Sequence, residues 1–166
     1  MAVTPVDHVR YKGYTPGAVG RITAAHAVYY HKYWGFDVSF ETQVASELAT
    51  FVIGFQAERD GLWEATADGV FTGAIAIADA GNYEARLRWF IVMPPYQQSG
   101  IGKALIQKAV VFSRERGYRR VYLWTFEGLD RARKLYELSG FSLSREKVIQ
   151  QWGQRIKEQR FDLLLS

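Results

Sequence analysis

Residues 92–110 read VMPPYQQSGIGKALIQKAV, and the fold turns on this stretch. Two prolines lead into polar residues, then into Gly100 and Gly102 one residue apart, then into an apolar helical pattern. A connection that only reverses the chain needs less glycine than this. Glycine removes side chains that block close approach and permits unusual backbone angles. The first turn of the helix that follows offers four N–H groups without intrahelical partners, at the positive end of the helix dipole. A strand, a glycine loop and a helix in that order cradle a diphosphate. Lys103 adds a formal charge beside it, and Gln97, Gln98 and Ser99 supply neutral donors. On glycine spacing alone, a simple turn stands as the alternative. Neither GxxxxGKS/T nor a GxGxxG after the first strand of a βαβ unit is present, so neither ATP nor a dinucleotide is the expected tenant.

Working back from the loop, residues 83–92 carry ARLRWFIV and read as a strand, with a turn at 79–82. Residues 62–66 and 70–78 read as a hairpin closed by Asp68-Gly69. Before them the period lengthens. Phe40, Val44, Leu48, Phe51 and Phe55 recur at helical steps, as do Val19, Ile22, His26, Tyr29, Tyr30 and Tyr33 between a Thr15-Pro16-Gly17 start and a Gly35 stop. Forward from the loop, Ile101, Leu105, Ala109 and Phe112 mark the buried stripe of a helix over 101–116, capped by Gly117. A strand at 121–125 follows. A short helix then runs from an Asp130 N-cap to Ser139, with Gly140 beyond it. Strands at 141–145 and 155–165 finish the chain. The order α-α-β-β-β-α-β-α-β-β predicts one mixed α/β domain over 1–166, around a mostly antiparallel sheet.

Composition narrows the classes. The chain has no cysteine, which excludes disulfides and thiolate metal sites and favours the cytoplasm. No apolar run approaches the roughly 18 residues of a membrane span, and MAVTPVDHVRYK does not read as a signal peptide. Charge is uneven: residues 1–100 hold seven Lys/Arg against ten Asp/Glu, and 101–166 hold fourteen against seven. Such asymmetry suits an anionic ligand or nucleic acid on the C-terminal half, or else a set of solvated helix faces. No RNP-like, zinc or helix-turn-helix pattern is present, which disfavours nucleic acid.

YQQSGIGKAL, preceded by the strand WFIV and Pro94, resembles the acetyl-CoA signature of the GCN5-related N-acetyltransferases (GNAT), Q/R-x-x-G-x-G/A, met by Gln97, Gly100 and Gly102. One helix and one strand further on, ARKLYELSGF (132–141) resembles the second signature of that family, a helix ending in Tyr and then Gly-Phe. The likeness covers nearly the whole chain. It implies the GNAT fold: a central mixed, mostly antiparallel sheet splayed between its fourth and fifth strands, with helices on both faces. It implies acetyl-CoA as co-substrate and no metal. Phe90, Ile91 and Val92 would pair with the pantetheine arm, and Gln97, Gln98, Ser99, Gly100, Ile101, Gly102 and Lys103 would hold the diphosphate. The Ile91 backbone N–H would polarise the thioester carbonyl. Tyr136 takes the place of the general acid that protonates the departing thiolate; its rival reading is a core aromatic with a satisfied hydroxyl.

More narrowly, YYHKYWGFD, FETQVASELATF, RDGLWEA, ARLRWFIV, VYLWTFEGL and WGQRIKEQRFDL are similar to the acetyltransferase half of bacterial proteins that fuse this domain to a MarR-type repressor. Two departures from the family pattern stand out. Gln97-Gln98 replace a common leading Arg, and Leu129 replaces a common Asn. No base is assigned. Glu41, Glu64, Glu84, Glu127, a water and His26 all stand as candidates, because 85–92 offers no carboxylate. Arg86 and Arg88 alternate on one strand and suit a substrate carboxylate or solvent. The expected partners are acetyl-CoA and a small or amino-acid-like amine; a homodimer is compatible with this reading. The alternative is an acyl-CoA-binding module that senses without turnover.

Overall fold

The computed structural model describes residues 8–165. The reading of the first seven residues as free of a leader lies outside them. The elements run β1 (Val9–Lys12), α1 (Ala18–Trp34), α2 (Val38–Ile53), β2 (Gly61–Ala67), β3 (Val70–Gly81), β4 (Glu84–Val92), a 3-10 turn (Pro94–Tyr96), α3 (Ile101–Glu115), β5 (Arg120–Phe126), α4 (Asp130–Leu138), β6 (Ser142–Gln151) and β7 (Gln154–Leu164). The seven strands form one sheet in the order β1-β2-β3-β4-β5-β7-β6. Neighbours are antiparallel except β4 and β5, which run parallel. No helix among the described residues is long and apolar enough to cross a membrane.

Three details differ from the sequence expectation. β1 is a four-residue edge strand, VRYK, too short to display a period. Counting it places the splay between the fourth and fifth strands, as the family resemblance implies. β6 runs to Gln151, not 145. Nearly all of it is exposed, so no apolar alternation betrays it, and Trp152 and Gly153 at positive φ close its hairpin with β7. Asp130 is not the N-cap of α4. Leu129 holds that position without a side-chain hydrogen bond, and Asp130 is the first helical residue.

The core lies on both faces of the sheet. Ile75, Ile77, Leu87, Val121, Leu123 and Phe161 pack with Leu105 and Ile106 of α3 and Tyr136 of α4. Ala74, Ala76, Leu62 and Phe126 pack with Ile22 of α1, Phe36, and Phe40, Val44 and Leu48 of α2. Adjacent β3 residues therefore serve opposite faces, bulky toward α3 and small toward α1 and α2, which is why this strand reads as an unbroken apolar run. Each fully buried Leu or Ile contributes about 1.5–3 kcal/mol of transfer free energy.

The parallel pair supplies the functional geometry. β4 and β5 pair only at Glu84–Arg120, Ala85–Val121 and Arg86–Tyr122, then diverge. On the other side of β4, Ala74 opposes Ile91 and Ala76 opposes Arg88, so Trp89 and Phe90 together face Ile75. This is a β-bulge, with Trp89 at φ 49°. A bulge adds local twist and bends its strand. Here it turns the Trp89 ring onto Phe51 of α2, 5.3 Å between centroids, and carries Phe90, Ile91 and Val92 away from β5.

Candidate active site

The divergence of β4 and β5 opens a V-shaped cleft that holds two cavities. The larger, of about 760 Å³, is lined by Phe90, Ile91 and Val92 of β4, by residues 128–132, and by Tyr29, Tyr30, Tyr33 and Trp34 of α1. The smaller, of about 360 Å³, lies between the sheet and helices α1 and α2. Tyr30, Phe90, Leu129 and Ala132 line both, so the chambers adjoin at the bulged end of β4.

Two helices begin at the larger cavity. α3 starts from Gly100 and α4 from Leu129, and neither N-terminus has a side-chain cap. Both therefore present free N–H groups and the positive ends of their dipoles. Lys103, Arg131 and Lys134 line the same space, against Asp130 as its one acidic lining residue. Gly100 has φ 91°, a region costly for side-chain-bearing residues, and a Cβ there would meet no atom within 4 Å. That open face is room for a ligand. Gly102 serves a different end: a Cβ would lie 3.0 Å from Leu135 Cδ1 and 3.4 Å from both Phe90 Cζ and Val92 Cγ2. Its bareness lets the first turn of α3 pack against α4 and β4.

Of the residues predicted to hold the cofactor, Phe90, Ile91, Val92, Gln97, Gln98, Gly100, Gly102 and Lys103 line this cavity. Ser99 and Ile101 do not. The Ser99 hydroxyl donates to the Tyr96 carbonyl, and Ile101 is buried in the core. The Gln97 side chain is already engaged: its Nε2 donates to the Val92 carbonyl at 3.1 Å, and its Oε1 accepts from Arg131 Nη1 at 2.7 Å. It braces the end of β4 against α4 and sets the position of Arg131. Nothing local in RARK (131–134) marks Arg131 and Lys134 for this cavity; their place in its wall depends on where α4 packs.

Tyr136 lines the smaller chamber. Its ring packs among Phe90, Phe141 and Phe161 at centroid distances of 5.8, 6.0 and 6.2 Å. Its hydroxyl makes no hydrogen bond among the described residues. Burial, with a smaller contribution from Tyr30, pushes its pKa well above the usual phenol value. The ring is thus a core aromatic, but its hydroxyl lacks the protein partner that the core reading gives it.

The base candidates scatter. Glu41 is exposed on α2. Glu64 is 1% exposed and held by Arg21 Nε at 2.9 Å, outside both chambers. Glu84 pairs with Arg120 at 3.4 Å near the closed end of the cleft, and Glu127 with Lys157 at 3.8 Å. His26 does line the smaller chamber. Its Nδ1 lies 2.8 Å from the Ile22 carbonyl; since a carbonyl only accepts, that nitrogen carries the proton and Nε2 is the free lone pair. Burial pushes its pKa down to about 4. The carboxylates that line this chamber are Glu47, paired with Arg88, and Glu158 of β7, which has no ion-pair partner among the described residues. Glu158 escaped notice because only pairing of β7 with β5 sets it opposite Phe126.

The profile of the Acetyltransferase (GNAT) family matches residues 23–141. That span takes in both splayed strands and both free helix N-termini. The chain belongs to this family. An uncharacterized N-acetyltransferase of Methanocaldococcus jannaschii is 27% identical over 136 residues, 78% of this chain and 59% of its own length. The chain thus spans about three fifths of that relative. Among solved GNAT-like structures, an acetyltransferase of the GNAT family from Desulfovibrio desulfuricans has a TM-score of 0.74 at 21% identity, covering 95% of this chain and 99% of that one. The acetyltransferase yncA of Salmonella typhimurium, solved with its cofactor acetyl-CoA, has a TM-score of 0.73 at 15% identity over 96% and 95%. A ribosomal-protein-alanine N-acetyltransferase of Brucella melitensis gives 0.74 at 15% over 94% and 99%. At these identities the structural likeness concerns the GNAT fold.

Proposed function

We propose that this GNAT domain is an acetyl-CoA-dependent N-acetyltransferase that acts on the primary amine of a small or amino-acid-like acceptor. The observation that carries this reading is the meeting of two unlike chambers at Phe90. One has two free helix N-termini and three cationic side chains; the other is aromatic and holds a tyrosine hydroxyl. The first suits a diphosphate and a narrow arm, the second an amine acceptor. Acetyl-CoA supplies the thioester. The first chamber's N–H groups around Gly100 and Gly102, with Lys103 and Arg131, take the diphosphate, and Phe90, Ile91 and Val92 flank the arm. Arg131, held by Gln97, replaces the charge that Gln97-Gln98 take from the loop.

In the proposed reaction the amine lone pair attacks the carbonyl carbon and the C–S bond breaks. The Ile91 amide stabilises negative charge on the carbonyl oxygen. Tyr136 remains protonated at any physiological pH and donates to the departing sulfur. A thiolate in the same apolar surroundings is itself made more basic, so donor and acceptor shift together. Glu158 takes the proton released by the amine, directly or through a water.

A coupled thiol-release assay over amines, amino acids and polyamines tests this reading. Tyr136→Phe is expected to lower kcat by about 10–1,000-fold with coenzyme A affinity unchanged; a wild-type rate would remove the acid role. The alternative of an acyl-CoA sensor draws on Leu129 and on the absence of a carboxylate within 85–92. Stabilisation by coenzyme A without thiol release from any amine would favour it. The likeness to MarR-fused acetyltransferases supports a bacterial origin and a link to transcriptional control, and the cysteine-free composition supports a cytoplasmic setting.

A further inference from the structure

We infer that the acceptor carries a carboxylate, bound by Arg86 in the inner part of the smaller chamber, with its amine directed outward to Phe90 and Tyr136. This rests on the transferase reading for the amine but not for the anion site. Arg86 lies opposite Tyr122 in the last β4–β5 pair before the strands part, and it lines the chamber. Its Nε is buried without a hydrogen-bond partner, and the guanidinium has no ion pair among the described residues. Its neighbour Arg88 is occupied, paired with Glu47 and stacked on Trp89 at 4.2 Å. A guanidinium offers five donors and does not shed its charge. Leaving one without a partner in a partly desolvated wall is unfavourable, and a bound oxyanion relieves that cost.

The rest of the wall selects the kind of anion and its orientation. Glu47 neutralises Arg88, which leaves Arg86 as the one arginine of this lining without an ion pair among the described residues, and Glu158 adds a negative charge at a different level of the strands. That suits a monoanion and opposes a phosphate dianion. Glu158 stands opposite Phe126, four residues beyond the Tyr122 level, roughly 13 Å further along the strands. The positive pole is therefore inward and the negative pole lies toward the chamber junction, matching a zwitterion with its carboxylate in and its ammonium out. Trp124, Phe126 and Trp152 supply apolar surface to the same chamber.

The test uses aromatic, aliphatic and ω-amino carboxylates, each beside its amide and its decarboxylated amine. Acids are expected to exceed their amides in kcat/KM, and Arg86→Gln to lower that acid-to-amide ratio at least tenfold, with Arg86→Lys restoring part of it. Quenching of tryptophan fluorescence by the N-acetylated acids, titrated without coenzyme A, gives a readout independent of turnover. It is expected to weaken at least tenfold in Arg86→Gln. Loss of carboxylate binding in that variant, with no thiol release from any amine, keeps the anion site and overturns the transferase reading. Turnover with an acid-to-amide ratio near one, unmoved by Arg86→Gln, overturns the anion site and keeps the transferase.

Discussion

Glu64 shows how a single residue is read differently once its surroundings are known. In the sequence it is a carboxylate near a strand end and a candidate base. In the fold both its oxygens accept from Arg21 of α1, at 2.9 Å each. It ties the first helix to the sheet. Arg21→Ala would strand a buried carboxylate; because Arg21 is itself 38% exposed, the expected loss is about 2–3 kcal/mol, at the low end for buried pairs, measured by urea denaturation. A loss under 0.5 kcal/mol would contradict the pairing. His26 makes a pH-dependent contribution. Its pKa falls from 6.5 unfolded to about 4 folded, because burial outweighs the hydrogen bond to Ile22. The unfolded chain thus binds more protons between those values. Stability is fully present above pH 6.5 and declines as pH drops toward 4, by up to about 1.4 kcal/mol per pH unit. His26→Gln should flatten that window, and an unchanged slope would assign it to another group. Asp162 acts at lower pH. Burial pushes its pKa up, but hydrogen bonds from Arg160, Ser144 and Arg120 outweigh this and hold it below 3.8, so its contribution is lost only as pH falls below the ordinary carboxylate range.

At the scale of elements, helix and hairpin signals were legible where periodicity was long or turn chemistry explicit. α2, α3 and the Asp68-Gly69 hairpin follow from apolar spacing and turn preference. β1 and most of β6 do not, because one is four residues long and the other is almost wholly exposed. The bulge in β4 was also hidden: WFIV reads as an even strand, and only pairing with β3 shows two residues opposing one. The α3–α4 contact makes a prediction. In Gly102→Ala the new methyl meets Leu135 and crowds Phe90 and Val92, so coenzyme A affinity should fall about three- to thirtyfold, at a stability cost of about 1 kcal/mol. Calorimetric titration checks this; unchanged affinity would mean that Leu135 moves aside freely. The Gln97–Arg131 bond links two elements in the same way. Gln97→Ala should weaken coenzyme A binding about three- to tenfold by releasing Arg131, and a matching loss in Arg131→Ala with no further loss in the double variant would tie the two together.

For the whole molecule, the cleft is the place where the sheet gives up its own hydrogen bonds. β4 and β5 part after three pairs, and a bound ligand that bridges them would stabilise the folded state by mass action. Coenzyme A at a hundred times its dissociation constant should add about 2.7 kcal/mol, read as a rise in Tm, with amide exchange slowed in 87–92 and 123–126. No rise would remove the cofactor site. The family signature was written in local sequence, since Gly100 and Gly140 sit at positive φ, a backbone conformation that needs no distant partner. The aromatic-rich composition likewise announced a large core without saying which rings would face a cavity. Tertiary structure alone decided the rest: that Gln97 braces Arg131, that Glu64 is spent on Arg21, and that Arg86 and Glu158 share a chamber. Those facts depend on which strands lie side by side and where two of them separate. Residues remote in the chain meet only through that packing, and no local pattern encodes the meeting.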